Sequence, residues 1–125
     1  MEKKLLKRKK RINKKNILIV DDHPIVREGI AQLIKNENDL EVCGEADTSQ
    51  KALREIEKRK PDMAIIDISL KNSSGLELIK QIKSIQPDLP ILVISMHDEE
   101  IFAERTLAAG ALGYIMKHEL TETLL

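Results

Sequence analysis

Short apolar runs alternate with longer segments of mixed polarity along most of the chain. Each run has four to six residues, and its length and its content of Ile and Val are typical of a β-strand. The segments between the runs carry apolar residues at three- and four-residue steps, which is the spacing of one helix face. The predicted strands are Ile17–Val20, Leu40–Gly44, Met63–Ile68, Ile91–Ile94 and Ala111–Met116.

Proline and acidic residues mark the predicted helix boundaries. Pro24 suits the first turn of the first helix, and Pro61 separates the second helix from the strand after it. Asp98 is predicted to cap the helix after strand four. Five β–α units in series predict an α/β fold, a doubly wound five-stranded parallel sheet with helices on both faces. Residues 119–125 resemble the start of a fifth helix, within which the sequence ends.

Length and composition indicate one domain with an aliphatic core. The chain has 125 residues, 42% of them apolar, and Phe102 and Tyr114 are its only aromatic residues of the Phe, Trp and Tyr types. Cys43 is the single cysteine, and we interpret it as a structural thiol in a strand. No apolar run approaches the ~18 residues of a membrane span and no signal-peptide pattern is present. We therefore predict no membrane contact and a cytoplasmic location.

The net charge of zero hides a strong asymmetry. Residues 1–15 hold nine Lys or Arg and one Glu, a net charge of +8, whereas residues 16–125 hold twelve basic and twenty acidic residues, a net charge of −8. We predict a disordered basic arm at 1–15 and a folded domain at 16–125. The arm is either a solvated tail or a contact for nucleic acid or an acidic partner. Because no aromatic residues are interleaved, any DNA binding by the arm is expected to be weak, unspecific and salt-sensitive.

Four of the five predicted strands carry candidate site residues at their ends, whereas strand two ends with nothing comparable, in Gly44-Glu45. Asp21 and Asp22 follow strand one, Asp67 lies in strand three, Ser95 follows strand four and Lys117 ends strand five. In a sheet of order 2-1-3-4-5, strands one and three are neighbours where the strand order reverses, and ligands bind at that place. Taken singly, the acidic pair and Ser95 could cap helices and Lys117 could be a solvated lysine. Their joint placement favours a single site.

Three clustered carboxylates need a cation. Two carboxylates about 5 Å apart repel by roughly 3 kcal/mol at an effective dielectric near 20. Mg²⁺ prefers oxygen ligands and retains several waters, so a phosphate oxygen can complete its coordination. With Mg²⁺ and Lys117, the charges of Asp21, Asp22 and Asp67 sum to zero. The sequence therefore predicts a site that receives a phosphoryl group, with an aspartate as the acceptor.

Several separated motifs give the sequence a family resemblance. "ILIVDDHP" at 17–24, "AIIDISLKNSSGLEL" at 64–78, "ILVIS" at 91–95 and "GALGYIMK" at 110–117 resemble the receiver domain of two-component response regulators, the CheY-like family. The resemblance covers about residues 16–125. "DDHPIVREGI" and "GYIMKHEL" look most like the NarL/LuxR-type subfamily, in which a DNA-binding domain follows the receiver.

The resemblance implies a role for each matching residue. Asp67 would be the phosphoacceptor, and Mg²⁺ would be held by Asp21, Asp22, Asp67 and the backbone carbonyl of Ser69. Lys117 and Ser95 would contact the phosphoryl group. Ser95 and Tyr114 would form the conformational switch, and Gly75 would open the third helix.

Three departures from the family pattern concern residues near this site. Leu70-Lys71 replaces the usual Met-Pro, His118 replaces the Pro that often follows the lysine, and Met96 replaces a smaller residue. His97 is a candidate for tuning phosphoryl hydrolysis. His23 is interpreted as part of the helix start rather than of the chemistry, and the three histidines lack the spacing of a zinc site.

The implied function is a phosphorylation-dependent signalling switch rather than an enzyme. A sensor histidine kinase would supply the phosphoryl group, phosphorylation could drive homodimerisation, and a C-terminal DNA-binding domain outside this sequence would control transcription. A stand-alone receiver is one alternative. A Mg²⁺-dependent aspartyl-nucleophile phosphohydrolase is another, against which stands Ser69 at the position of its general acid. A third is an inert receiver whose basic arm binds nucleic acid.

Overall fold

A computed structural model describes residues 14–68, 70, 75–95 and 100–116. Several predicted features lie outside these residues: the arm at 1–13, Ser69, Met96, His97, Asp98, Lys117, His118 and the helix start at 119–125. Within the described ranges the strands are β1 (Lys15–Val20), β2 (Leu40–Ala46), β3 (Met63–Asp67), β4 (Ile91–Ser95) and β5 (Gly113–Met116). The helices are α1 (Pro24–Lys35), α2 (Ser49–Arg59), α3 (Gly75–Ile85) and α4 (Glu100–Ala108).

The five strands form one parallel sheet in the order β2-β1-β3-β4-β5. The predicted fold class and strand order are confirmed. β1 and β3 are neighbours in the centre, and Val20 at the end of β1 pairs with Ala46 on one side and Ile66 on the other. The carboxyl ends of the three strands therefore lie side by side.

Alternating strand residues divide the core between the two faces of the sheet. Leu18 and Val20 of β1 pack in one cluster with residues of α2 and α3, whereas Ile17 and Ile19 pack in the other with Ile30 of α1. Successive strand side chains point to opposite faces, so each buried run covers both clusters. Helices on both faces are therefore confirmed, and this burial fixes the register in which the strand ends meet.

The observed strand ends differ from the predicted ones by a few residues. β1 begins at Lys15, the last residue of the predicted arm, because its backbone N–H donates to the Asp39 carbonyl (2.8 Å) while its side chain stays exposed. β5 begins at Gly113 rather than Ala111. Gly110 turns the chain with φ of 113°, and the Ala111 N–H donates to the Thr106 carbonyl (2.9 Å), so Ala111 belongs to the turn.

None of the helices in the described part of the chain is long and apolar enough to cross a membrane.

Candidate metal and phosphoacceptor site

Asp21 is the first residue after β1 and its side chain is fully buried. Its backbone N–H donates to the Ala46 carbonyl (3.0 Å), which extends the pairing with β2 by one residue. The side chain is thus held at the central strand's carboxyl end. Asp22 follows it: the residue as a whole is half-buried, but only 6% of its side chain is exposed.

Asp67 is the last residue of β3 and is also fully buried. It pairs with Ile94 of β4, and the Ile68 N–H after it donates to the Ile94 carbonyl (3.0 Å). Burying an unpaired carboxylate is costly, so such a residue needs a charged or hydrogen-bonding partner. Because Ile66 pairs with Val20, Asp67 lies beside the residues at the end of β1.

His23 lies between α1 and the two strand ends, and its ring faces the carboxylates. Nδ1 is 2.8 Å from Oδ1 of Asp21, 3.0 Å from Oδ1 of Asp22 and 3.7 Å from Oδ2 of Asp67. The interpretation of His23 as a residue of the helix start was incomplete. It does precede α1, as its N-cap residue, but its side chain makes no capping hydrogen bond and belongs to the cluster.

Ligand-type atoms of Asp21, Asp22, His23 and Asp67 all lie within 4.8 Å of one another. Two unit charges at that separation repel by about 3.5 kcal/mol at an effective dielectric near 20. The oxygen-rich donor set fits a small hard divalent cation such as the predicted Mg²⁺, to which the site offers three carboxylates. The predicted convergence of Asp21, Asp22 and Asp67 is present in the structure.

Arg27 of α1 fixes the backbone beside this cluster. Its guanidinium donates to the Asp21 carbonyl (2.6 Å) and forms an ion pair with Glu45 of β2 (3.3 Å). The Arg27 N–H also donates to the His23 carbonyl (3.0 Å), as expected in a first helical turn. Arg27 is a positioning residue that the sequence analysis missed. Its sequence signal was weak, since an arginine in a predicted helix is usually a solvated side chain.

The acidic residues at the end of β2 are occupied by local partners. Glu45 pairs with Arg27, and Asp47 lies 3.0 Å from the Lys51 ammonium. The hydrogen bond from Lys51 lowers the pKa of the Asp47 carboxyl. These residues therefore do not extend the central cluster, in agreement with the prediction that strand two contributes no site residue.

Ser95 and Tyr114 lie on the neighbouring strands. Ser95 is the last residue of β4, is fully buried and pairs with Met116. Since Asp67 pairs with Ile94, Ser95 is one residue further along the adjacent strand. Tyr114 of β5 is half-buried, pairs with Val93 and packs against the core cluster of α2 and α3. Lys117 and Ser69 complete the predicted set but lie outside the described residues.

Gly75 brings the start of α3 against the acceptor segment. Its N–H donates to the Ile68 carbonyl (3.2 Å). A Cβ at this position would lie 2.6 Å from the Ile68 Cα and 2.8 Å from the Asp67 carbonyl oxygen. Only glycine permits this approach of two backbones.

The family model described as "Response regulator receiver domain" matches residues 17–125. The chain belongs to the response regulator receiver domain family. The resemblance found in the sequence motifs is therefore confirmed, and the domain belongs to two-component signal transduction. Receiver domains of this family are generally signalling switches.

The receiver domain is similar to curated transcriptional regulators and to solved structures of other response regulators. It is 38% identical to the transcriptional regulatory protein YdfI of Bacillus subtilis, over 86% of this chain and 50% of that protein. A LuxR-family two-component response regulator from Aurantimonas sp. is 34% identical, with a TM-score of 0.81 over 87% of this chain and 81% of the other. The NarL/LuxR-type resemblance is confirmed.

A response regulator of Burkholderia pseudomallei has been solved with a phosphorylated aspartic acid, a calcium ion and citrate. It is 28% identical to this receiver, with a TM-score of 0.79 over 88% of this chain and 64% of the other. The receiver spans about half the length of the curated relatives it matches.

Proposed function

We propose that this receiver is a phosphorylation-dependent switch whose acceptor is Asp67 and whose cofactor is Mg²⁺. The observation that carries the proposal is the burial of Asp67 within 4.8 Å of Asp21 and Asp22, at the point where β1 and β3 meet. A cluster of this charge is stable when a cation is bound, and the bound cation allows an anionic phosphoryl group to approach. The phosphorylated aspartic acid of the Burkholderia relative supports the same chemistry.

Each residue has a defined part in the proposed phosphotransfer. A carboxylate oxygen of Asp67 attacks the phosphorus of a phosphohistidine on the sensor kinase, so a P–O bond forms, the P–N bond breaks and the imidazole leaves. Mg²⁺, held by Asp21, Asp22, Asp67 and the Ser69 carbonyl, would neutralise charge on the phosphoryl oxygens. The ammonium of Lys117 would contact the phosphoryl group from the other side.

Ser95 and Tyr114 would convert phosphorylation into a change of surface. A new dianionic group on Asp67 would accept a hydrogen bond from the Ser95 hydroxyl, one residue along the adjacent strand. Withdrawal of that hydroxyl towards the phosphoryl group leaves space behind it for the Tyr114 ring. Because β5 and α4 carry this region, they would present a different surface to a partner.

The proposed output of the switch is control of transcription in the bacterial cytoplasm. The curated relatives that the receiver matches are about twice its length, and several of them are transcriptional regulatory proteins. A C-terminal DNA-binding domain, with homodimerisation on phosphorylation, would supply this output. The basic arm would add at most weak, unspecific contact to DNA, whose affinity falls as salt concentration rises.

Phosphorylation with a small acyl phosphate tests the proposal. The protein is incubated with acetyl phosphate and Mg²⁺, and its intact mass is measured. We expect one phosphoryl adduct in the wild type, which is lost in Asp67→Asn and on removal of Mg²⁺ with a chelator. An unchanged adduct in Asp67→Asn would contradict the proposal, and release of phosphate in large excess over protein would indicate a phosphohydrolase instead.

The switch is tested separately with beryllofluoride, which mimics a phosphoryl group on an aspartate. We expect backbone NMR shifts at Ser95, Tyr114 and α4 in the wild type. Shifts confined to the end of β3 would contradict the conformational part and leave the phosphoacceptor assignment intact. A Ser95→Ala variant should keep the adduct on Asp67 and lose the shift at Tyr114.

A further inference from the structure

The ring of His23 reaches into the carboxylate cluster from a fixed backbone. The His23 N–H donates to Oδ1 of Asp21 (2.8 Å), and its carbonyl accepts from the Arg27 N–H (3.0 Å). Pro24 follows it at the first position of α1 and restricts φ there. Asp21, α1 and Pro24 therefore fix where the side chain begins.

The distances around Nδ1 match neighbouring positions in an octahedral shell. With metal–ligand bonds of about 2.1 Å, adjacent ligands are about 3.0 Å apart and opposite ligands about 4.2 Å apart. Nδ1 lies 2.8 Å from an oxygen of Asp21, in a hydrogen bond that a bound cation would replace, and 3.0 Å from one of Asp22. Both distances are close to the separation of adjacent ligands. Its distance to the Asp67 oxygen, 3.7 Å, lies between the two values.

The ligand atoms span 4.8 Å at most, so an octahedral ion with bonds of about 2.1 Å needs only a small inward movement of the widest pair. The His23 side chain is 53% exposed, so its ring has solvent on one side and can adjust its position towards a bound cation without disturbing the core.

We infer that His23 supplies an imidazole nitrogen to the cation site and extends its range from Mg²⁺ to first-row transition cations such as Fe²⁺ and Ni²⁺. This inference rests on the cation site of the proposed function and concerns its choice of ion. Oxygen ligands suit Mg²⁺, whereas imidazole suits Fe²⁺ and Ni²⁺. A nitrogen ligand therefore adds affinity for the transition cations and almost none for Mg²⁺.

A purely structural role for His23 makes a different prediction. If the ring only donates a hydrogen bond to Asp21, its removal changes the charge and shape of the site in the same way for every cation. The ratio of Ni²⁺ affinity to Mg²⁺ affinity would then stay constant. The ratio, rather than either affinity alone, separates the two roles.

Isothermal titration calorimetry with Ni²⁺ and with Mg²⁺ measures this ratio. The test variant is His23→Asn, because the asparagine amide occupies nearly the position of Nδ1 and can still donate to Asp21 but has no nitrogen lone pair. The background is a His97→Asn, His118→Asn double variant, in which His23 is the only histidine. We expect His23→Asn to lower the affinity for Ni²⁺ on the order of tenfold and the affinity for Mg²⁺ by less than about threefold.

Proton NMR of the Ni²⁺-loaded background protein gives the second readout. A nickel-bound imidazole shows a non-exchangeable ring C–H resonance shifted far outside the diamagnetic range, and we expect such a resonance, which disappears in His23→Asn. An unchanged affinity ratio or the absence of this resonance would overturn the inference. Neither result would affect the proposed function, which fails instead if Mg²⁺ does not bind and no adduct forms on Asp67.

Discussion

Replacing Gly75 with alanine tests the close approach of α3 to the phosphoacceptor. The added Cβ would lie 2.6 Å from the Ile68 Cα, 2.7 Å from the Ile68 carbonyl oxygen and 2.8 Å from the Asp67 carbonyl oxygen. All three are backbone atoms, so no side-chain rotation relieves the overlap. Either the start of α3 retreats or the backbone after Asp67 moves.

The cost of Gly75→Ala follows from these contacts. Overpacking a well-packed region lowers the free energy of unfolding by roughly 1–3 kcal/mol, and three overlaps with backbone atoms favour the upper end. Displacing α3 also weakens the Gly75 N–H bond to Ile68, which contributes about 0.5–1.5 kcal/mol. We expect the free energy of unfolding to fall by about 3 kcal/mol. At about 4 °C per kcal/mol for a domain of this size, Tm falls by about 12 °C.

Gly29→Ala is the matched control. Gly29 lies inside α1, and nothing is within 4 Å of a Cβ built there. Alanine at such a helix position stabilises by about 0.5–1 kcal/mol. Urea denaturation followed by circular dichroism should therefore show opposite shifts for the two variants. A stability for Gly75→Ala within about 0.5 kcal/mol of the wild type would refute the reasoning.

Three further predictions concern other parts of the fold. Thr48→Ala removes the acceptor of the Lys51 N–H bond (3.2 Å) at the start of α2, so urea denaturation should show a loss of about 1 kcal/mol that Thr48→Asp restores. Lys83→Met removes the hydrogen bonds that its ammonium donates to the carbonyls of Pro87 (3.2 Å) and Leu89 (2.6 Å). We expect the free energy of unfolding to fall by about 2 kcal/mol. Lys80 is exposed, so Lys80→Met should change the free energy of unfolding little. Burial raises the pKa of the Cys43 thiol above its ordinary 9.0, so the folded state is favoured while the thiol is protonated. The free energy of unfolding is therefore unaffected below that pH and falls as pH rises through the folded-state pKa, and Cys43→Ala should lack this decline.

The sheet could be predicted because three of its strands, β1, β3 and β4, are largely buried on both faces. Runs such as Ile17–Val20 have no polar position, which is typical of strands in the centre of a parallel sheet. The placement of Asp21 and Asp67 then followed from the strand order, since each carboxylate ends a central strand. No contact had to be known to bring them together.

The direction of the His23 ring could not be predicted from the same pattern. Pro24 indicates a helix start, but where the preceding side chain points depends on how α1 leaves β1. The structure shows that the Arg27 bond to the Asp21 carbonyl holds this junction. Likewise, the start of β5 depends on the turn at Gly110, where φ is 113°. Such features depend on three-dimensional packing rather than on hydrophobic period.

The most direct test of the account is to locate the phosphoryl group on the chain. After reaction with acetyl phosphate and Mg²⁺, borohydride reduces an aspartyl phosphate to homoserine, and tryptic peptides are sequenced by mass spectrometry. Residues 16–27, with Asp21 and Asp22, and residues 60–71, with Asp67, fall in different peptides, because trypsin does not cleave the Lys60–Pro61 bond. We expect homoserine at position 67 and unmodified aspartate at 21 and 22. Homoserine at 21 or 22, or none at 67, would contradict it.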